Sequence, residues 1–569
     1  MSIVSSTPLA GEIATGRTLL TESYWAADEG EATRDVTLGD LLREAAATVP
    51  ERLALVDAVE DPSARRSWTY AEFLADAERA ARALLARFAP GDRVAIWAPN
   101  SADWIVLQQG ISLAGMVMVA ANPAYRSREL EYVLKQSGAV CLVHADSYRD
   151  FDMTSVVEQV RPNLPDLKAA ISFSDWDAFL ASGDSRAELP AVAPTDPIQI
   201  QYTSGTTGFP KGALLHHKGL VNAAAFVAER AGMSDGGVNV NAMPMYHIGG
   251  GAVTSFGVLA KRGTFVILPG FDPALVLEAF ETYRGTHSLL VPTMLLAVLD
   301  HPDRPKRDLS SIQTLMSGAS AVPAPLIRRT AETFACRTTI LFGQTEMHGV
   351  ICQTKLTDSP EDQSETVGQP LPHLEVKIVD VATGEVLPLG EQGEICCSGY
   401  QNMIEYYELP DATSATIDAD GWLHMGDLGT IDERGFVKVT GRLKDMIIRG
   451  GINLYPREIE ELLLTHPAVA EAAVVGVPDD RWGEQIAAVV RLTSGVERPS
   501  VEDLRTFCRA HMSAHKTPAY WSFVDALPVT PTGKVQKFVL RDQLSAGRLP
   551  AETSPAPGAS VGNRRPLGA

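Results

Sequence analysis

Apolar positions along the chain recur at two spacings, and the switches between them outline the elements. Phe73 to Phe88 is rich in alanine, with apolar residues three and four apart, and predicts an amphipathic helix. Arg93 to Trp97 is a short apolar run that stops at Pro99–Asn100 and predicts a buried strand. A further helix and strand are expected within Trp104–Ala121, a helix at Arg128–Ser137 and a strand at Val140–His144. Helices alternating with apolar strands predict a parallel sheet covered on both faces.

The alternation resumes after Pro197. Ile198–Tyr202 reads as a strand, followed by a glycine- and threonine-rich loop and a helix from His217. Further strands are expected at Thr264–Leu268, Ser288–Val291 and Thr338–Phe342. From Leu374 to Gly399 short strands with glycine turns predict a small antiparallel subdomain. Beyond Gly441 the pattern predicts strands at Val469–Val475 and Gln485–Leu492, with helices at Arg457–Leu464 and from Val501. The expected fold class is α/β: a large N-terminal domain of two α/β halves plus a small β subdomain, then a small mobile α+β C-terminal domain. The expected divisions are an N-terminal arm over 1–35, the large domain over 36–441, the C-terminal domain over 442–545 and a disordered tail over 546–569.

At 569 residues the chain has room for more than one domain. With 45% hydrophobic and 21% charged residues it has the make-up of an ordinary globular protein. A formal net charge of -21 argues against a surface built to hold nucleic acid. Any polyphosphate ligand then needs a local cationic site. Trp104–Ala121 is interrupted by Gln108, Gln109 and Ser112, so it does not read as a membrane span. The first twenty residues lack a basic start followed by an apolar block, and a cytoplasmic setting is expected. The six cysteines, Cys141, Cys336, Cys352, Cys396, Cys397 and Cys508, show no CxxC pair or Cys/His ladder, which argues against structural zinc.

The strongest local signal is the segment Tyr202 to Gly212. Gly205, Gly208 and Gly212 let the backbone approach an anion closely. Thr203, Ser204, Thr206 and Thr207 add hydroxyl donors, and Lys211 adds a point charge. Pro210 stands directly before Lys211, where a Walker A loop needs glycine, so this is a different phosphate loop.

With that loop the chain resembles the adenylate-forming superfamily of acyl-CoA synthetases, aryl-CoA ligases, luciferases and peptide-synthetase adenylation domains. The resemblance extends in order from about residue 38 to 545. Phe342-Gly343-Gln344-Thr345-Glu346 is similar to the family's aromatic-Gly-x-Thr-Glu segment. Gly426-Asp427 resembles the ribose-binding aspartate, and Gly441 to Asp445 the hinge. Arg449 to Pro456 resembles the pantetheine loop, and Pro531 to Lys534 the catalytic-lysine loop. Two positions depart from the common pattern: Phe342 stands where tyrosine is usual, and Ile452 where several relatives carry Glu or an aromatic residue.

The resemblance implies two steps. A carboxylate attacks the α-phosphorus of ATP and expels pyrophosphate; the thiol of coenzyme A, a co-substrate, then attacks the acyl carbon and expels AMP. It implies phosphate contacts from Thr203 to Lys211, Thr345 on the α-phosphate and magnesium on Glu346. It implies an adenine slot between Gly318, Ala319 and Ser320 on one side and Phe342 and Gly343 on the other, with Gln344 in the same segment. Asp427 and Arg442 would hold the ribose, Lys534 would bridge carboxylate and α-phosphate, and Lys444 would be the hinge. Gly450 and Gly451 would let the pantetheine arm lie close to the backbone.

Met243 to Gly251 resembles the acyl-side segment, with His247 as a gate beside the carboxylate. The expected acyl pocket is Met243, Tyr246, His247, Gly249, Gly250 and Met347, the successive glycines leaving space for a sizeable group. Met243, Met245, Ile248, Met347 and Val350 favour an apolar acid, and a medium- or long-chain fatty acid is the first choice. Between Asn241 and Gly251 there is no acidic residue to hold an ammonium, which argues against an amino acid. A bulky alicyclic or aryl acid stays open, as do transfer to a carrier protein, a luciferase-type oxygenase and a non-catalytic acyl or nucleotide sensor. The expected partners are a small carboxylic acid, ATP and coenzyme A, with no nucleic acid and no integral membrane segment; a homodimer is allowed for.

Overall fold

The computed structural model describes residues 19–28, 30, 32–203, 210–320, 322–529 and 535–553. Ser204, Gly205, Thr206, Thr207 and Gly208 of the phosphate loop and Lys534 lie outside them.

Two mixed sheets form the large part of the molecule. The first has seven strands, in the order Glu405–Tyr406, Lys211–His216, Pro197–Thr203, Val117–Ala121, Arg93–Trp97, Cys141–His144 and Ala169–Ser172. Its last five strands run parallel, as the helix–strand alternation predicts. The second has nine strands, with Thr264–Ile267, Val238–Asn241, His287–Leu289, Thr314–Gly318 and Arg337–Phe342 parallel at its centre.

The two halves are not consecutive in the chain. Leu53–Asp57 and Arg66–Thr69, which precede the first sheet in sequence, form the edge of the second. The chain then crosses back through the helix Tyr70–Leu85, which opens on a capping box between Thr69 and Glu72. This helix packs on Ala102–Leu113, of which every residue but Asp103 is buried. A side chain at Gly110 would bring its Cβ within 2.6 Å of Ala80 Cβ, so the two helices cross at a contact of small residues. The apolar stretch at 104–121 is therefore core between the sheets. Among the described residues no helix is long and apolar enough to cross a membrane.

The antiparallel subdomain expected at Leu374–Gly399 is present and extends further, taking in two strands between 423 and 442. Its order is Tyr24–Trp25, Leu374–Val379, Gly393–Gly399, Leu423–Ile431 and Val437–Arg442. The described part of the N-terminal arm thus adds an edge strand, with Trp25 buried. A separate sheet follows from Ile447, built on the long pair Val469–Asp479 and Gly483–Leu492. Its core gathers Ile447, Leu454, Ile459, Leu463 and Trp521. The segment after 546 is not wholly loose, since Glu552–Thr553 pairs with Tyr520–Trp521.

One local expectation changes. The phosphate loop does not lead straight into a helix. Lys211–His216 is a strand antiparallel to Pro197–Thr203, with Thr203 opposite Lys211, and the helix then starts at His217 as expected. The run Ala213–Leu215 is too short for its period to separate a strand from the first turn of a helix.

Candidate active site

A cavity of about 850 Å³ opens where the two sheets, the antiparallel subdomain and the residues after it meet. Thr203 and Lys211, at the two ends of the phosphate-loop hairpin, line it. So do Gly318, Ala319, Phe342, Gly343, Gln344, Thr345 and Glu346 at the ends of two neighbouring parallel strands. A Cβ at Gly318 would meet Leu341 O at 2.4 Å, and one at Gly343 would meet Gly349 O at 2.3 Å. Both glycines therefore allow close backbone approach at the rim. Ala319 takes a left-handed φ of 64° to leave its strand. Ser320 is exposed and lies off the wall.

Glu346 is buried, and its Oε1 accepts the Tyr406 hydroxyl at 2.6 Å. Burial and the neighbouring carboxylate hold the Tyr406 phenol well above an ordinary tyrosine. The Tyr406 ring lies under Lys211, with Nζ 4.1 Å from its centre, a cation–π contact. The turn carrying Glu346 is fixed from behind. Met403 N–H donates to Glu346 O at 2.8 Å, and Gln401 Nε2 donates to Met347 O and Val350 O at 2.9 and 2.7 Å. His348 is wholly buried at a φ of 56°. Its Nε2 lies 3.1 Å from the His216 N–H and its Nδ1 2.6 Å from Gln401 O. The backbone amide donates to Nε2, so the neutral ring carries its proton on Nδ1 and donates it to Gln401. Burial, then the adjacent His216, push His348 far below the usual histidine range.

Asp427 and Arg442 sit opposite one another on paired strands, with Arg442 Nε 2.8 Å from Asp427 Oδ1. Asp427 is buried beneath this contact, and it is Arg442 and Gly426 that reach the cavity wall. Lys444 also lines the wall, where burial and then the Arg442 cation lower its ammonium below an ordinary lysine. Gln536 joins the wall from beyond residue 535. Gly450 and Gly451 do not line it; their φ values of 60° and 83° are left-handed, and Gly450 backs onto the Trp482 ring.

On the acyl side Met243, Tyr246, His247, Ile248, Gly249, Val253, Leu289, Val291 and Val350 form an apolar wall. Asn100 holds the first part of this segment: its Nδ2 donates to Met243 O at 3.0 Å, and it accepts Met245 N–H at 2.8 Å. His247 Nδ1 accepts Gly249 N–H at 3.1 Å. The structure separates the glycines that sequence grouped together. A Cβ at Gly249 would touch only side chains at 3.3–3.5 Å, so this glycine does leave space in the cavity. A Cβ at Gly250 would meet Pro244 O at 2.5 Å, and one at Gly251 would meet Met245 O at 2.2 Å. Those two allow the helical turn Gly249–Thr254 to lie on the segment before it, and Gly250 is no pocket residue. Met347 and Met245 likewise point into core packing rather than into the cavity.

Tyr406, Glu394, Thr416, His424, Met425 and Asn122 also line the wall, and sequence reading missed them. Tyr406 lies sixty residues beyond Glu346, and no local pattern marks it.

The cavity thus brings a buried carboxylate and a phosphate-loop lysine together with an apolar wall. The family described as AMP-binding enzyme matches residues 42–407, and its C-terminal domain matches 458–534; the chain belongs to this family. Human mitochondrial medium-chain acyl-CoA ligase ACSF2 is 36% identical over 542 residues, which cover 89% of this chain and 87% of that protein. YngI of Bacillus subtilis (strain 168) is 38% identical over 536 residues, 89% of this chain and 97% of YngI. The structure of ATP-bound MatB from Rhodopseudomonas palustris superimposes with a TM-score of 0.81 at 30% identity, covering 89% of this chain and 99% of MatB. The chain is thus an ATP-dependent ligase of the AMP-binding, acyl-CoA synthetase family.

Proposed function

We propose that this enzyme activates an apolar carboxylic acid, a medium- or long-chain fatty acid, as its acyl-adenylate and then transfers the acyl group to coenzyme A. The observation that carries the reading is one cavity in which Lys211, Thr345, Glu346 and Arg442 face an apolar wall of Met243, Ile248, Leu289, Val291 and Val350. The reacting carboxylate and the α-phosphate must meet between them. No enzyme nucleophile is required, so catalysis is a matter of placement and charge stabilisation.

In this reading Thr203 and Lys211 hold the polyphosphate with the loop between them, and Thr345 hydrogen-bonds the α-phosphate. Phe342 and Gly343 flank adenine, and the Asp427–Arg442 pair receives the ribose hydroxyls. His247 closes the acyl side next to the carboxylate, and Lys534 bridges carboxylate and phosphate oxygens as the first bond forms. Glu346 suits magnesium by its chemistry: it is a hard oxygen donor on the wall, and the Tyr406 hydrogen bond occupies Oε1. When bound, the ion offsets charge on the phosphate oxygens.

In this reading the large domain ends at 441 and the C-terminal domain begins at 442, at the end of the last strand of the antiparallel subdomain. Lys444 is the hinge. Gln536, two positions from Lys534, lines the cavity while Gly450 and Gly451 stand off it, which suits an arrangement for the first step. Rotation about Lys444 then exchanges the two loops for thioester formation. A reducing compartment such as the cytoplasm suits the six free thiols.

The deciding experiment measures pyrophosphate release with straight-chain, alicyclic and aryl acids, with and without coenzyme A, alongside acyl-CoA formation. Release stimulated by coenzyme A, with acyl-CoA as product and straight-chain acids preferred, supports the proposal. Release without any dependence on coenzyme A points to a carrier-protein acceptor. An aryl or alicyclic preference changes the substrate, and no release with any acid removes the enzymatic reading.

A further inference from the structure

Beside the nucleotide end of the cavity three side chains of different chemistry converge on one point. Glu394 and Cys396 are two apart on the strand Gly393–Gly399, so they share a face. His424 is the cross-strand partner of Cys396 on Leu423–Ile431. Between these pairings the register shifts: Glu394 faces Leu428, so two steps on one strand span four on the other. The bulged residues Met425, Gly426 and Asp427 arch over Glu394, whose Oε1 accepts Gly426 N–H at 3.0 Å.

His424 Nδ1 lies 2.9 Å from Glu394 Oε2 and 3.5 Å from Cys396 Sγ, and the three potential ligand atoms are all within 4.8 Å of one another. Tetrahedral zinc with sulfur, nitrogen and oxygen ligands separates such atoms by about 3.4–3.6 Å. The sulfur–nitrogen spacing already fits, and the nitrogen–oxygen pair has to open by about half an ångström. The other face of the imidazole is prepared as well. His424 Nε2 lies 3.6 Å from Asp418 Oδ2, the carboxylate–histidine relation that orients metal-bound imidazoles. Glu394 and His424 also line the cavity, which leaves a fourth position open to water or to a ligand there.

We propose that Glu394, Cys396 and His424 form a binding site for a thiophilic divalent cation of the zinc class, separate from the magnesium position at Glu346. Binding expels the thiol proton to solvent and leaves the imidazole proton on Nε2, facing Asp418. Spacing in sequence does not reveal this site, because the ligands come from two strands joined by a long connection rather than from a Cys/His ladder.

Direct binding tests it without substrate, so the outcome is independent of the proposed reaction. Chelator-treated protein is titrated with Co²⁺, and zinc affinity is measured by competition. One equivalent of cobalt should give a near-ultraviolet thiolate-to-cobalt band. The band should be absent in Cys396→Ser and His424→Ala and retained in the control Cys336→Ser. Asp418→Asn should weaken zinc binding by about tenfold or more. Zinc should also raise the melting temperature of the wild type but not of Cys396→Ser, with the metal-free melts showing that the variant is folded. Equal zinc affinity in wild type and folded Cys396→Ser, or no thiolate band in the wild type, overturns the proposal.

Discussion

The Tyr406 hydroxyl donates to Glu346 Oε1 at 2.6 Å, and the same ring lies beneath Lys211. One side chain therefore positions both the carboxylate and the cation of the candidate phosphate site. Tyr406→Phe keeps the ring and removes only the hydroxyl. A hydrogen bond to a charged group contributes about 1.5–3 kcal/mol, so kcat/KM for ATP should fall about tenfold to a hundredfold. Tyr406→Ala should cost more, because it also removes the cation–π contact. Unchanged steady-state kinetics in the phenylalanine variant would show that Glu346 is placed by its backbone alone.

Behind this pair, the His348 ring occupies the space that a side chain at Gly219 would need. A Cβ there would come within 2.5 Å of the ring. Gly219→Ala should displace His348 and destabilise the protein by about 1–3 kcal/mol, as overpacking does. It should also slow pyrophosphate release, because His348 ties the strand after the phosphate loop to the turn carrying Glu346. Denaturation and rate measurements on one variant check both effects; a stable variant with a normal rate contradicts the linkage.

Acid should destabilise the protein through buried histidines. Burial pushes His217 and His287 down from 6.5 to about 4. The unfolded chain takes up these protons below about 6.5 and the folded chain does not, so stability is full above that value and declines as the pH falls towards about 4. Each such group contributes about 3 kcal/mol over that window. His217→Asn keeps an acceptor for Leu38 N–H, a bond of 3.2 Å in the wild type. Melting temperature plotted against pH should be flatter for this variant between those limits, and parallel curves would remove His217 as a cause.

The glycines of the acyl segment should behave oppositely. Gly249→Leu projects into the cavity and should shift preference to shorter acids with little loss of stability. Gly250→Ala drives a Cβ against Pro244 O and should destabilise the fold without changing chain-length preference. A length series of fatty acids and thermal melts separate the two. Chain-length selectivity unaltered in Gly249→Leu places the acyl chain elsewhere.

The two half-reactions should separate by variant. Lys534→Ala should lose adenylation by about 3–4 kcal/mol, the usual cost of one transition-state donor, and retain thioester formation from supplied acyl-adenylate. Lys444→Pro should slow thioester formation far more than adenylation. Comparable losses in both half-reactions would argue against a hinge at Lys444.

By itself the sequence determined the fold class, many of the elements and the order of the motifs. Arg93–Trp97 was legible because a strand buried on both faces reads as a continuous apolar run, and the helix from His217 because it follows the glycine-rich loop along the chain. The motif at Phe342–Glu346 was legible because its residue types follow one another along the chain. Tertiary structure alone decided which residues meet across long separations. It placed Leu53–Asp57 in the second sheet, set Tyr406 on Glu346, and buried Asp427 behind Arg442. It turned Met347 and Gly250 away from the cavity and brought Glu394, Cys396 and His424 together. The physical reason is that local periodicity records which face of an element is buried. The partner on that face is set by strand register and close packing between segments far apart in the chain.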